Sequence, residues 1–182
     1  APLERRFMAP SRRWVTERAS GDVLELGVGT GANLSYYGTE VRLTGLDWSI
    51  GMLNLARDKA GRLNRPVTLH QADATVLPFE DASFDAVVAT FLLCSVPDLT
   101  ASLSEGLRVL RPGGRLLLAD HVGSSFPPLR ALQHLLEWVT GPRNGEYWTR
   151  RPLVRLRDLD ADIVETRRTT FGVLECVHAQ KP

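Results

Sequence analysis

The chain has 182 residues, 43% of them hydrophobic, and 22 lysines and arginines balance 21 aspartates and glutamates to a net charge of +1. Such a length predicts one globular domain, residues 1–182, with a core that needs no metal or disulfide. The near-zero charge argues against bulk electrostatic binding to nucleic acid or to an anionic membrane. Cys94 and Cys176 are far apart without metal-ligand spacing, so we expect no zinc site, no disulfide and a reducing compartment.

The sequence contains no apolar run long enough for a membrane span and no visible signal peptide. We therefore expect a cytoplasmic protein without an integral membrane segment. The positive charge is almost all arginine, and the arginine pairs are expected to lie on a solvated surface.

Apolar runs of four to six residues alternate with longer amphipathic stretches, a pattern typical of a parallel sheet flanked by helices. The predicted helices are residues 2–19, 32–37, 50–60 with Ser49 as its cap, 98–110, 127–139 and 150–159. The predicted strands are residues 23–26, 41–46, 67–70, 84–90, 115–119, 162–169 and 172–179. We expect the last two strands to pair antiparallel at a sheet edge.

A glycine-rich loop follows the first predicted strand. Gly27, Gly29 and Gly31 let the backbone turn sharply and approach a ligand closely. Because Gly27, Gly29 and Ala32 also satisfy the dinucleotide fingerprint, the loop alone does not separate a nicotinamide cofactor from S-adenosylmethionine.

Acidic residues near this loop favour S-adenosylmethionine. Glu25 stands two residues before Gly27, where a carboxylate can face the cationic amino group of a methionyl tail but would repel a pyrophosphate. Asp47, after the second strand, can accept both ribose hydroxyls. Asp73 can accept from the adenine amine, and Trp48 can cover an adenine face.

Five separated motifs then resemble the class I S-adenosylmethionine-dependent methyltransferases over residues 20–122: residues 23–31, Asp47, Asp73, the pair 77–79 and 83–85, and residues 110–114. The resemblance implies a Rossmann-like α/β fold with helices on both faces of a mostly parallel seven-stranded sheet of order 3-2-1-4-5-7-6. Residues 123–160 would then cover the acceptor, and 161–182 would form the C-terminal strand pair. The cofactor contacts it implies are Glu25, Gly27, Gly29, Gly31, Asn33, Asp47, Trp48, Asp73, Ala74 and Thr90.

A narrower resemblance concerns the methyl acceptor. Residues 29–33, 92–96 and 120–122 look like the alkyl-thiol methyltransferases of the methyltransferase-like group, which implies methylation of a thiol on a small molecule. The chain departs from membrane-anchored members, which carry an apolar N-terminal segment and have Glu in place of Asp120. A phospholipid amine, or another nitrogen or oxygen acceptor, is the alternative.

His121, just past the fifth predicted strand, is the candidate general base, with Asp120 beside it. Neighbouring strand residues point to opposite faces, so the two need not form a dyad, and His121 can equally be a wall residue. Cys94 is interpreted as a small buried hydrophobe rather than a reactive thiol.

Residues 123–160 leave further interpretations open. The aromatic residues Phe126, Trp138, Tyr147 and Trp148 are predicted to form either an apolar lid or ordinary core. Arg143, Arg150 and Arg151 are predicted to be surface charges, with binding of an acidic acceptor as the alternative. Two other functions remain as rivals: an NAD-linked oxidoreductase, which Glu25 disfavours, and a non-catalytic S-adenosylmethionine-binding partner of another enzyme.

Overall fold

The computed structural model describes residues 7–144, 147–169 and 171–182 and contains one seven-stranded sheet of order β3-β2-β1-β4-β5-β7-β6. The strands are β1 Asp22–Leu26, β2 Arg42–Asp47, β3 Thr68–Gln71, β4 Phe84–Thr90, β5 Leu110–His121, β6 Asp162–Thr169 and β7 Leu174–Gln180. The helices are α1 Ala9–Thr16, α2 Ile50–Arg62, α3 Leu99–Val109, α4 Pro127–Asn144 and α5 Pro152–Asp158. Strand β7 runs antiparallel to both β5 and β6, and the other pairs are parallel, so the predicted order and the C-terminal strand pair are confirmed.

Alternation along the central strands divides the core into two layers. Leu24 and Leu26 of β1 pack with α3 and α5 on one face of the sheet. Val23 of β1 points to the other face, where it packs with Trp14 and Val15 of α1. Glu25 has the same parity as Val23, so its side chain enters the layer that contains α1.

The structure corrects the prediction of a helix at residues 32–37. This segment forms consecutive turns, with the amide of Leu34 bonded to the Gly31 carbonyl and that of Tyr36 to the Asn33 carbonyl. The side chains of Asn33 and Tyr37 point inward from these turns and hydrogen-bond Glu25.

Of the predicted helix 2–19, residues 2–6 lie outside the described part of the chain, and the helix observed is α1, Ala9–Thr16. Other boundaries move by a few residues. Strand β5 begins at Leu110 rather than at residue 115, and β7 begins at Leu174 because Gly172 is in a turn with a φ of 75°. Ser49 caps α2 as predicted by accepting from the Met52 amide at 3.4 Å. Among the described residues, no helix combines the length and the apolar character that crossing a lipid bilayer requires.

Candidate active site

The glycine loop lies at the carboxyl end of β1, and its backbone requires glycine. Gly27, Gly29 and Gly31 have φ values of 64°, 53° and 74°. A Cβ on Gly27 would lie 2.7 Å from Leu92 Cδ1, and one on Gly31 would lie 2.6 Å from Leu34 Cδ1. Around Gly29, by contrast, the nearest atom would be the Gly27 oxygen at 3.9 Å, so the space beside this residue is open to a ligand.

Asp47 at the end of β2 holds this loop in place. One carboxylate oxygen accepts from the Gly29 amide and the other from the Ser49 amide, both at 2.9 Å. A carboxylate oxygen has more than one lone pair, so each oxygen retains acceptor capacity. Asp47 thus joins β1 to β2 and can still accept hydroxyl groups from a ligand.

Asp73 and Trp48 are exposed beside Asp47, and Ala74 is buried. An Asp73 carboxylate oxygen accepts from the Thr75 amide at 2.8 Å, which fixes the turn after β3. The Trp48 side chain is 80% exposed, so its ring is available to a ligand. Asp47, Trp48 and Asp73, which are predicted to surround an adenosyl group, therefore lie together at one end of the sheet.

Glu25 is only 1% exposed and is held by two neutral donors. Asn33 Nδ2 donates to one of its carboxylate oxygens at 2.9 Å, and the Tyr37 hydroxyl donates to the other at 3.0 Å. Burial raises the pKa of Glu25 to about 7, although the Tyr37 and Asn33 hydrogen bonds and the nearby Arg12 charge favour the ionised form. Glu25 is thus a buried carboxylate whose charge depends on pH near neutrality.

Arg12 of α1 reaches the same group of polar residues. Its guanidinium donates to the Asn33 side-chain oxygen at 3.0 Å and to the Thr90 hydroxyl at 2.7 Å, and Asn33 Nδ2 also donates to Thr90 at 2.9 Å. Together with Glu25, these residues form a polar network across α1, β1 and β4 that places one positive charge beside the glycine loop.

Asp120 and His121 are neighbours at the end of β5, and their side chains have different partners. Asp120 is 2% exposed and accepts from the Leu93 amide at 2.7 Å, the Cys94 amide at 3.3 Å and the His121 amide at 2.7 Å. Burial raises its pKa to about 6, opposed first by a hydrogen bond from the Cys94 thiol. Asp120 therefore fixes the backbone after β4 and does not contact the imidazole as a dyad partner.

His121 lies in an aromatic cluster. Its ring centroid is 5.0 Å from that of Phe91 and 5.7 Å from that of Trp148. The Arg12 guanidinium lies 4.8 Å from the Phe91 ring centroid, so the cluster adjoins the polar network. Burial, and secondarily the Arg12 charge, lower the pKa of His121 below 6.5, which keeps the imidazole neutral at pH 7.

Cys94, Asp120 and His121 bring three possible metal-ligand atoms within 4.8 Å of one another. Their spacing along the chain gave no sign of this cluster. The thiol is partly exposed and already donates to Asp120, so Cys94 is not the simple buried hydrophobe that we expected.

The aromatic and arginine residues of 123–160 differ in their contacts and exposure. Among the four aromatic candidates, Trp148 contacts His121, whereas Phe126 and Trp138 are 53% and 78% exposed and so lie outside the core. Arg150 hydrogen-bonds the carbonyls of Leu93, Val96 and Pro97, so it stabilises the loop after β4 instead of standing free as a surface charge. The side chain of Arg143 is outside the described part of the chain.

Sequence reasoning missed three residues of the site. Arg12 lies in a helix distant along the chain, and Tyr37 lies in the segment assigned to a regular helix. Phe91 has a φ of 55°, unusual for a residue with a side chain, and this conformation accompanies the placement of its ring between Arg12 and His121.

A family model described as a methyltransferase domain matches residues 24–118. A phosphatidylethanolamine N-methyltransferase of Cereibacter sphaeroides is 43% identical over 118 residues, which are 64% of this chain and 58% of that protein. A demethylmenaquinone methyltransferase of Thermobifida fusca is 37% identical over 131 residues, 71% of this chain and 53% of that protein. The match thus spans little more than half the length of these relatives.

The fold has close counterparts among solved structures. A SAM-dependent methyltransferase from Methanosarcina mazei superposes with a TM-score of 0.70 at 25% identity, covering 88% of this chain and 92% of its own. The similarity to this structure extends over most of both chains.

Proposed function

The chain belongs to the methyltransferase domain family, and we propose that it transfers a methyl group from S-adenosylmethionine to the amino group of a phospholipid headgroup. The fold is the Rossmann-like methyltransferase fold, and S-adenosylmethionine is the cofactor. The observation that carries the proposal is the position of His121 between the Phe91 and Trp148 rings, beside the polar network of Arg12.

The residues around the glycine loop suit this cofactor. The open space beside Gly29 admits the ligand next to the backbone. Asp47 retains acceptor capacity for the ribose hydroxyls, and the exposed Asp73 and Trp48 are available to the adenine. We infer that Arg12 binds the methionyl carboxylate and that Glu25, through its negative charge, attracts the methionyl ammonium.

The bound cofactor supplies an electrophilic methyl group on a sulfonium. The chain must then orient an acceptor, exclude water and remove a proton from the nucleophile. His121 accepts that proton at a ring nitrogen, since its lowered pKa leaves the imidazole neutral at pH 7. Asp120 contributes by fixing the backbone amides of Leu93 and Cys94, which positions the loop around the acceptor.

An amine acceptor suits the aromatic cluster. Methylation of an amine yields a group that carries positive charge at neutral pH, and aromatic faces attract such cations. Phe91 and Trp148 flank His121 and therefore can stabilise the positive charge that the nitrogen gains when it takes the methyl group and S-adenosylhomocysteine leaves. The name of the Cereibacter sphaeroides relative supports the same acceptor chemistry.

A thiol remains the second candidate acceptor, because residues 92–96 and 120–122 resemble the alkyl-thiol methyltransferases. A thiol has a pKa closer to neutrality than an alkyl ammonium, so His121 would remove its proton more easily. The relatives described above are named for other acceptors.

The test is to incubate the purified chain with donor labelled in its methyl group and with three separate acceptors: phosphatidylethanolamine in detergent micelles, a small alkyl thiol and a demethylated quinol. Label in the phospholipid headgroup is the expected result, and label in the thiol alone would overturn the amine proposal. Label in no acceptor, despite binding of S-adenosylhomocysteine, would favour the non-catalytic partner.

A further inference from the structure

Helix α4 is amphipathic, but it buries a largely polar stripe and exposes an apolar one, the reverse of an ordinary core helix. Its inward stripe carries Leu129, Gln133 and Glu137, two of which are polar. Its outward face carries Leu132, Leu135 and Trp138, which are 49%, 58% and 78% exposed. Spacings of three residues place the outward trio on one side of the helix. We call these three residues the apolar face of α4.

Hydrogen bonds explain why the polar stripe is the buried one. Gln133 accepts from the Ser124 amide at 2.7 Å and donates to the Val122 carbonyl at 3.2 Å. Glu137 accepts from both the amide and the hydroxyl of Thr149, at 2.9 and 2.7 Å. Because these bonds use the geometry of one helix face, rotating α4 to bury its leucines would break all four. The apolar face is therefore a stable feature of the surface.

A basic pocket of about 510 Å³ opens beside the first turns of α4. Arg130, Arg151 and Arg168 line it, together with hydroxyl-bearing residues of the 123–125 and 149 segments. Glu175 partly balances the last two arginines, at 3.7 Å from Arg151 and 3.2 Å from Arg168. Arg130 forms no ion pair with any acidic residue among those described. The pocket thus retains positive charge, and it adjoins the apolar face at Trp138, because Arg130, His134 and Trp138 lie on one i,i+4 row of α4.

Two exposed aromatic residues border this pocket. Phe126 is 53% exposed and Phe171 is 75% exposed. The Ser124 hydroxyl connects them, since it accepts from the Phe126 amide at 3.0 Å and donates to the Phe171 carbonyl at 2.7 Å. Leucine, tryptophan and phenylalanine side chains beside arginines are the composition of surfaces that lie in the headgroup region of a bilayer.

We propose that the apolar face of α4 docks on the surface of a lipid bilayer that contains anionic phospholipid, with a lipid phosphate in the pocket of Arg130, Arg151 and Arg168. Charge complementarity selects this occupant: the phosphates of an anionic bilayer attract the arginines of the pocket, whereas a second copy of the chain would add further positive charge at the interface. The net charge of +1 gives little long-range attraction, so the apolar side chains supply most of the binding and the arginines select anionic lipid.

The docking surface is connected to the candidate active site through one short segment. Thr149 is bonded to Glu137 of α4, and the preceding residue, Trp148, contacts the His121 ring. Docking would thereby present the acceptor side of the site to the membrane. Binding to the bilayer does not depend on the reaction, whereas this delivery of a lipid acceptor rests on the proposed function.

The experiment is co-flotation of the full chain, without methyl donor, with vesicles of phosphatidylcholine alone or mixed with phosphatidylglycerol. We expect flotation with the mixed vesicles. Trp138→Glu should weaken binding by at least about tenfold, and Arg130→Glu by about fivefold. Leu55→Glu, which changes an exposed leucine on α2, is the matched control and should bind like the wild type.

Two outcomes would overturn the proposal. One is that the wild-type chain floats with neither kind of vesicle, or that Trp138→Glu floats as well as the wild type. The other is a dimer in lipid-free solution that Trp138→Glu dissociates in sedimentation velocity, because a second copy would then occupy the face. Circular dichroism checks that each variant is folded, and methyl transfer in detergent micelles tests the proposed function separately from binding.

Discussion

The Arg12 guanidinium donates to the Thr90 hydroxyl at 2.7 Å and so links helix α1 to the end of β4, 78 residues further along the chain. This contact places a fixed positive charge at the point where the glycine loop, β1 and β4 meet. The same guanidinium lies over the Phe91 ring, which contacts His121. The residue proposed to bind the donor and the residue proposed to deprotonate the acceptor are therefore separated by one aromatic ring.

Arg12→Met should weaken binding of S-adenosylhomocysteine by about tenfold or more, since a charge-assisted hydrogen bond to the carboxylate is lost. Affinity for 5′-methylthioadenosine, which lacks the amino-acid tail, should remain close to that of the wild type. Isothermal titration calorimetry measures both. Arg13→Met is the matched control. Arg13 is also on helix α1, but its guanidinium lies over the Tyr36 ring instead of in the polar network. Equal losses for the two ligands would remove Arg12 from the tail site.

Asp47→Ala should weaken both ligands, because the ribose loses its acceptor and the Gly29 amide loses its partner. We expect a loss of about 1–3 kcal/mol in binding free energy. Asp58→Ala, at an exposed carboxylate on α2, should change nothing. Wild-type affinity in the Asp47 variant would place the ribose elsewhere.

Affinity for S-adenosylhomocysteine should depend on pH through Glu25. Burial raises the pKa of Glu25 to about 7, so the carboxylate is neutral below that pH and attracts the ligand ammonium only above it. Affinity should fall by up to about tenfold for each unit below pH 7. Glu25→Gln should remove this dependence, and 5′-methylthioadenosine should not show it. A flat wild-type profile would mean that Glu25 does not sense the ammonium.

Turnover should report the titration of His121. Because burial lowers the pKa of His121, kcat should rise with pH on the acid side, with a midpoint below that of an ordinary imidazole. His121→Asn should lower kcat by about 10²–10⁴-fold with little change in cofactor affinity. His70→Asn, on β3 with its ring against Phe79, is the control. Undiminished turnover in His121→Asn across pH would make His121 a wall residue.

The central sheet could be predicted because local signals dominate there. Short apolar runs indicate the buried strands. The glycines after β1 mark backbone with positive φ, and the acids after β2 and β3 mark the ends of those strands. The strand order came from resemblance to a family and was confirmed. The predicted helix at residues 32–37 was wrong, and the hydrogen bonds of Asn33 and Tyr37 to Glu25 are tertiary contacts that no local pattern indicates.

The position of Arg12 and the orientation of α4 depend on contacts between segments that are distant along the chain. No local pattern indicates that α1 returns to β4, so Arg12 was not predicted. Helix α4 was expected from its pattern, but its orientation is set by the hydrogen bonds of Gln133 and Glu137, and hydrophobic periodicity alone would bury the wrong face.

The most direct test of the account is a crystal structure of the chain with bound S-adenosylhomocysteine. We predict the ligand carboxylate within hydrogen-bond distance of Arg12, the ribose hydroxyls on Asp47 and the sulfur facing the space between Phe91 and His121. A tail that lies away from Arg12, with the sulfur directed away from His121, would contradict the proposed site.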